Sequence, residues 1–282
     1  MKKTATKCLA LALFLLCSCG ENGDKVTYSS DITNPTTSLS SSPISSEIEP
    51  IPSVGLAYEL NADGNGYIVK GRGTCIDKTI IIPDTYKNLP VIEIAKEAFK
   101  DDSEITSFNS GKNIKRIGEG AFSSATSLTS VRLNEGIETI GDEAFYWCHS
   151  LLNINLPSSL ISIGQLAFFD SGLYRNNSNY VGGALIIDRW LCYGQSVKGD
   201  FVVPNDVYGL SEKVFNNCSK LTSIDVPLSV TRYGQAPLFD FSDALTSIKI
   251  SKNISLGSYV SSRFAIDEEF QETERLHYKR RG

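Results

Sequence analysis

Residues 137–157 read IETIGDEAFYWCHSLLNINLP, and the same frame recurs on both sides of them. One period earlier the chain reads IKRIGEGAFSSATSLTSVRL from Ile114, and one period later LISIGQLAF from Leu160. Aligned on the aromatic of the Ala-Phe pair, Phe99, Phe122, Phe145 and Phe168 follow at intervals of 23 residues. The interval lengthens to 47 before Phe215 and returns to 24 before Phe239, so one unit has been replaced. Other apolar positions keep the same step: Ile94, Ile117, Ile140, Ile163, Leu210 and Tyr233 before the aromatic, and Ile105, Leu128, Leu151, Leu221 and Leu245 after it. A unit this short cannot bury its apolar face alone and must stack on its neighbours, which makes a period of this size the signature of a solenoid.

Within a unit, Val131 and Leu133 alternate with Ser130 and Arg132, the two-residue period of a strand. Ile154 with Leu156, Ile224 with Val226 and Ile248 with Ile250 repeat the pair. Turn residues follow, as at Asn134-Glu135-Gly136 and Pro157-Ser158-Ser159. A second extended piece, 137–140, ends at Gly141, and Asp142-Glu143-Ala144-Phe145 reads as a single helical turn with acids at its N-terminus. The expected fold is an α/β solenoid of short strands plus one helical turn per unit. Ala144 leaves space for a neighbouring coil, and the Phe column is expected to be a core stack rather than a binding stripe, because packing requires an aromatic at every period.

The pattern I-G-x-x-A-F-x-x-C-x-x-L-x-x-I-x-L-P, found at 140–157 and in weaker form at 210–227, resembles the BspA-type leucine-rich repeat, also associated with treponemal surface proteins. The resemblance covers 83–256, and GYIVKGRGTCIDKTIIIPDTYKNLPVIEIAKEAF from Gly66 resembles the capping segment that opens such proteins, which carries the match toward Gly55. It implies a right-handed solenoid, secreted or exposed at a surface, active in adhesion to host proteins or other microbes and without catalysis in the repeat. The chain departs from the pattern where Ser211 replaces the Gly, where Pro237 adds a residue, and in the unit after Phe168.

The rest of the chain supplies an address. Lys2, Lys3 and Lys7 precede the short apolar run CLALALFLLC, which reads as a secretory signal over 1–18. Leu16-Cys17-Ser18-Cys19 resembles the bacterial lipobox, which would make Cys19 the lipidated first residue; the plainer reading keeps these cysteines as small residues of a signal cleaved elsewhere or not at all. Residues 19–54, rich in Ser, Thr and Pro, read as a disordered tether between anchor and folded part. A capping segment over 55–82 and the solenoid over 83–256 follow. An insertion over 174–200 reads as a β-hairpin in place of one rung and carries Tyr174, Tyr180, Trp190 and Tyr193. It is either a variant rung or a ligand-contacting loop. Residues 257–282 form an expected C-terminal cap, helical over RFAIDEEFQETERL and ending in the basic tail Lys279-Arg280-Arg281.

Composition excludes some functions. With 282 residues, 41% hydrophobic and a formal net charge of -5, the chain has a core but no basic excess to collect nucleic-acid phosphates. Cys148 and Cys218 share one repeat position, two or three rungs apart at about 4.8 Å each, beyond the roughly 7 Å reach of a disulfide. Cys75 with Cys192 would require the opening cap to meet the hairpin. His149 and His277 are the only histidines and make no ligand spacing, so neither a metal nor a cofactor is expected, and no enzyme.

The candidate binding residues are Tyr146, Trp147 and Phe169, just after the core Phe where other units carry Ser123, Ser124 and Asn216, together with Trp190 of the insertion. Either the first three pack beneath the hairpin, or all four form one exposed patch. The expected partners are an extracellular protein or glycan, and a membrane through the N-terminal lipid, with the chain itself a monomer. Two other roles stay open: a non-catalytic accessory factor in glycan or envelope processing, and a structural surface spacer.

Overall fold

The computed structural model describes residues 50–234, 236–254, 256, 260, 262–267 and 274–282. The signal, Cys19 and the tether up to residue 49 lie outside the described residues. Over the described residues the chain is the expected solenoid, each regular coil supplying one strand to each of two parallel ladders and a turn to a third face.

The first ladder runs through Thr79–Ile81, Ser107–Asn109, Ser130–Arg132 and Asn153–Ile154. The second runs through Leu89–Ile94, Arg116–Ile117, Thr139–Ile140 and Ser162–Ile163. At its N-terminal side Tyr67–Gly71 joins in parallel and Ala57–Leu60 closes the end antiparallel, as a cap must. Tyr58 stacks on Tyr86 there at 4.0 Å.

The third face is tighter than a helical turn. Residues two before and two after Phe99, Phe122, Phe145, Phe168 and Phe215 have positive φ: Glu97 and Asp101, Gly120 and Ser124, Glu143 and Trp147, Leu166 and Asp170, Lys213 and Asn217; at Phe239 only the residue after, Phe241, does, because Pro237 stands two before. This alternation turns successive N–H groups in opposite directions. Ala144, Tyr146 and Cys148 donate within their own turn, to Gly141, Glu143 and Phe145, while Glu143, Phe145 and Trp147 donate to Gln165, Ala167 and Phe169 of the next coil at 2.8–3.0 Å. Every N–H from 143 to 148 is therefore paired, which is what lets the turn carry a buried aromatic. Phe99, Phe122, Phe145 and Phe168 stack on one another at 5.2, 5.3 and 5.4 Å, nearly parallel, and Phe215 stacks on Phe239 at 5.5 Å. The expected core column is the observed one.

The insertion divides this core in two. Ala184–Ile187 and Trp190–Tyr193 form an antiparallel hairpin, and the second of these strands pairs in parallel with Gly209–Leu210. Both faces of the hairpin are covered: Leu185, Ile187, Trp190 and Cys192 pack into the core of the preceding coils, while Ala184, Leu191 and Val197 pack into that of the following ones. It is a wall between two half-solenoids, which explains its unbroken apolar runs. Gly194 stands in the place of the stacked Phe. Its N–H donates to Val214 O at 2.9 Å as a core Phe would, and an added Cβ would lie 2.6 Å from the Phe215 ring. Across the junction Glu212 N–H reaches Ile163 O at 2.8 Å. The α-helix Gly172–Arg175 belongs to this excursion.

The C-terminal end differs from expectation. Phe264–Ile266 and Arg275–Arg280 are strands, and the second pairs antiparallel with Ser247–Ser251, with Ile248 opposite Tyr278 and Ile250 opposite Leu276. The open ladder edge decides this: unpaired backbone groups on the last coil are satisfied by a strand, not by a helix. Lys279 and Arg280 accordingly lie in a strand rather than in a frayed tail.

Candidate functional site

The interruption after Phe168 shapes the surface on two faces. On the turn face, Tyr146 stacks on Trp147 at 5.3 Å and on Phe169 at 5.7 Å, so Tyr146 and Phe169 continue, one position on, the column set by the core Phe residues. Phe169 meets Tyr174 at 4.7 Å and Tyr193 at 5.6 Å, and Tyr174 meets Tyr180 at 6.0 Å. Six rings thus form one ribbon from the third coil onto the insertion. Burial raises the hydroxyl pKa of Tyr180 and Tyr193, the latter to about 12, with nearby Tyr174 adding to both. These phenols stay neutral donors.

The ribbon is graded in exposure. Tyr146 and Phe169 are half-buried, whereas Trp147 is 46% exposed, because its left-handed turn position aims the side chain outward. Polar groups border it. Arg175 forms a bidentate pair with Asp170 at 2.9 Å and holds that carboxyl below its usual range, and His149 Nε2 lies 3.6 Å from Asp170.

Trp190 does not belong to this surface. Its side chain is fully buried in the wall, its indole N–H donating to the Tyr208 hydroxyl at 2.9 Å. Strand alternation on a hairpin covered on both faces leaves it no route to solvent, so the four-residue patch reduces to Tyr146, Trp147 and Phe169, with Tyr174, Tyr180 and Tyr193 beside them.

On the strand face the interruption leaves a groove of about 430 Å³, lined by Leu152, Ile154 and Asn155 of the fourth coil and by Leu173, Ile186 and Asp188 of the insertion, among others. The first ladder ends here at Asn153–Ile154 and resumes only with Gly199–Val202, Leu221–Asp225 and Ser247–Ser251. No sequence pattern marks this groove directly. Its signal is a missing one: the L-x-x-I-x-L strand that should follow Phe168 is not there.

Among the described residues the cysteines, Cys75, Cys148, Cys192 and Cys218, are free and buried, and desolvation pushes Cys148, Cys192 and Cys218 up to about 12. Cys148 Sγ is occupied with a carbonyl of the preceding coil, so it offers His149 no thiolate. Among the described residues no group of three or more His, Cys, Asp or Glu is placed to hold a metal ion.

The sequence profile of the BspA type leucine rich repeat region matches residues 75–179 and 187–269, in six copies. Among solved structures, a leucine-rich repeat protein of T. pallidum is 25% identical, over 70% of this chain and 80% of that one, at a TM-score of 0.43. A leucine-rich repeat protein from Bacteroides capillosus is 25% identical over 43% of this chain and 93% of its own, at 0.38. A leucine rich cell surface protein from Faecalibacterium prausnitzii is 19% identical over 70% and 78%, at 0.29. Among functionally curated proteins none matches the chain.

Proposed function

We infer the function from family membership: the chain belongs to the BspA-type leucine-rich repeat family, whose repeats build binding surfaces rather than catalytic sites. It acts as a lipid-anchored protein of the bacterial surface, held by Cys19 and lifted by the 19–54 tether, and its solenoid binds an extracellular protein or glycan. The signal-like N-terminus and the lipobox-like Leu16-Cys17-Ser18-Cys19 support the anchor.

The observation that carries the binding site is the aromatic ribbon with Trp147 at its exposed end. Aromatic faces give contact area at low entropic cost, and the small polar ladder of Ser107, Ser130 and Asn153 on the neighbouring face offers no comparable anchor. Tyr146, Trp147 and Phe169 are the contact residues, with the Asp170–Arg175 pair and His149 as polar neighbours for a hydroxyl or amide. The test is the full chain, solubilised in detergent, assayed on immobilised extracellular-matrix proteins and on a glycan array, beside Trp147→Asn. Binding that vanishes with the ring while melting holds supports the site. Binding that ignores Trp147 removes it.

A further inference from the structure

The ladder that stops at Asn153–Ile154 leaves an edge whose bonding can be worked out. Asn153 lies opposite Ser130 and Ile154 opposite Val131, and Asn153 N–H donates back to Thr129 O. That phase turns Asn153 and Asn155 toward the preceding coil and leaves both the N–H and the C=O of Ile154 pointing to where the next strand would lie. In earlier coils those positions are used: Val131 faces the Asn153–Ile154 strand, and Phe108 faces Ser130–Arg132. Two residues further along, Leu133 N–H reaches the next coil through Asn155 Oδ1, and Leu156 N–H is capped instead by the Asp188 carboxylate at 2.9 Å. The side chains tell the same story. Phe108, Val131, Ile224 and Ile248 are at most 3% exposed, whereas Ile154, in the same column, is only partly buried and Leu152 is 60% exposed.

We propose that this edge is a docking site for an extended polypeptide segment, which pairs its backbone with Ile154 as a parallel strand and fills the groove before the insertion. The occupant's chemistry follows from what each regular coil supplies at that place. A branched apolar or aromatic residue stands opposite the preceding one, as Val131 stands opposite Phe108, and here it would rest against Leu173 and Ile186. Asp188 is the one charged residue in the lining, so a basic side chain beside the apolar one is favoured. Main-chain pairing gives the affinity and the groove selects the alternate side chains, the general logic of strand addition. This site is separate from the aromatic ribbon and does not depend on it.

The chain's own regular strand, residues 128–133, LTSVRL, has the required pattern and serves as the probe. A fluorescein-labelled LTSVRL amide is titrated into the full chain and compared with the same peptide N-methylated at its arginine, whose amide would reach the Ile154 carbonyl. The expected result is saturable binding of the first and at least about tenfold weaker binding of the second, the worth of one backbone bond at the upper end of its range. Ile154→Pro is expected to weaken binding of the unmodified peptide to a similar degree; the fold tolerates proline where the N–H points away from the sheet, at a modest loss of melting temperature because Ile154 packs partly on the core. Equal affinity for the two peptides, no saturable binding, or dimers of the chain that exclude the peptide would each overturn the proposal. The methylated control reads the edge in the wild-type protein even if the proline variant does not fold.

Discussion

Cys148 Sγ donates to the carbonyl oxygen of Phe122, one coil back, at 3.0 Å. Cys218 repeats the contact with Gly194 O at 3.2 Å. Both thiols thus tie coils together only while protonated, and desolvation raises their pKa from 9.0 to about 12.

A pH dependence follows. The folded-state pKa lies above the unfolded one, so this stabilisation is fully present below pH 9.0 and is lost as pH rises toward about 12. Each such thiol should contribute a slope of about 1.4 kcal/mol per pH unit in that window. Cys148→Ser keeps a donor but does not titrate there. Denaturant melts at pH 7, 9 and 10.5 should show the gap between wild type and variant narrowing above pH 9; a constant gap would mean that the thiol is not protected.

The Phe column should be graded in strength. Phe145 is stacked on both sides, by Phe122 and Phe168, whereas among the described residues Phe239 stacks on Phe215 alone. Phe145→Ala should cost about 3–5 kcal/mol and Phe239→Ala less, because the end of a stack has fewer atoms to lose. Equal losses in urea melts would contradict the gradient.

Trp147 occupies a left-handed position at φ 58°, where its period mates are Asp101, Ser124, Asp170, Asn217 and Phe241, all but the last short and polar. Asn tolerates that backbone better than Ala does, since its short polar side chain can bond locally. Trp147→Asn should therefore be more stable than Trp147→Ala by about 0.5–1 kcal/mol. Melting the two variants side by side checks this, and an Ala variant as stable as the Asn one would remove the backbone argument.

Much of this is legible in the sequence. The 23-residue step, Phe column and strand pairs are set by residue types at fixed spacing, and stacking leaves them no other solution. The parts that were not readable share one cause, which is that they depend on what lies beside the regular coils. For Trp190 the sequence leaves both a packed variant rung and an exposed patch open, yet ALII and WLCY are continuous rather than alternating, the mark of a strand covered on both faces. At the C-terminal end the stretch from Arg263 reads as helical, but Phe264–Ile266 and Arg275–Arg280 are strands, because an open ladder edge outweighs local propensity. The groove had no signal except the missing strand after Phe168. Tyr146 and Phe169 were legible as a departure from Ser123 and Asn216, while their stacking order depends on the turn geometry.

The wall should show coupling between its two strands' neighbours. A Cβ added at Gly209 would lie 2.4 Å from the Trp190 ring, and that ring is fully buried against the first half of the core. Trp190→Ala should cost about 3–5 kcal/mol, both from the cavity and from leaving the Tyr208 hydroxyl without its indole donor. Gly209→Ala in the wild-type background forces ring or backbone aside and should cost about 1–3 kcal/mol, the usual range for overpacking. Once the indole is gone the added methyl meets empty space and fills part of it. The double variant should therefore be more stable than the sum of the single effects predicts, by about 1 kcal/mol or more, as contacting sites do and distant ones do not. A cycle of four urea melts measures that term. Additivity within error would mean that the ring and Gly209 do not share one packed space, and the picture of the insertion as a wall closed against the following coil would fail with it.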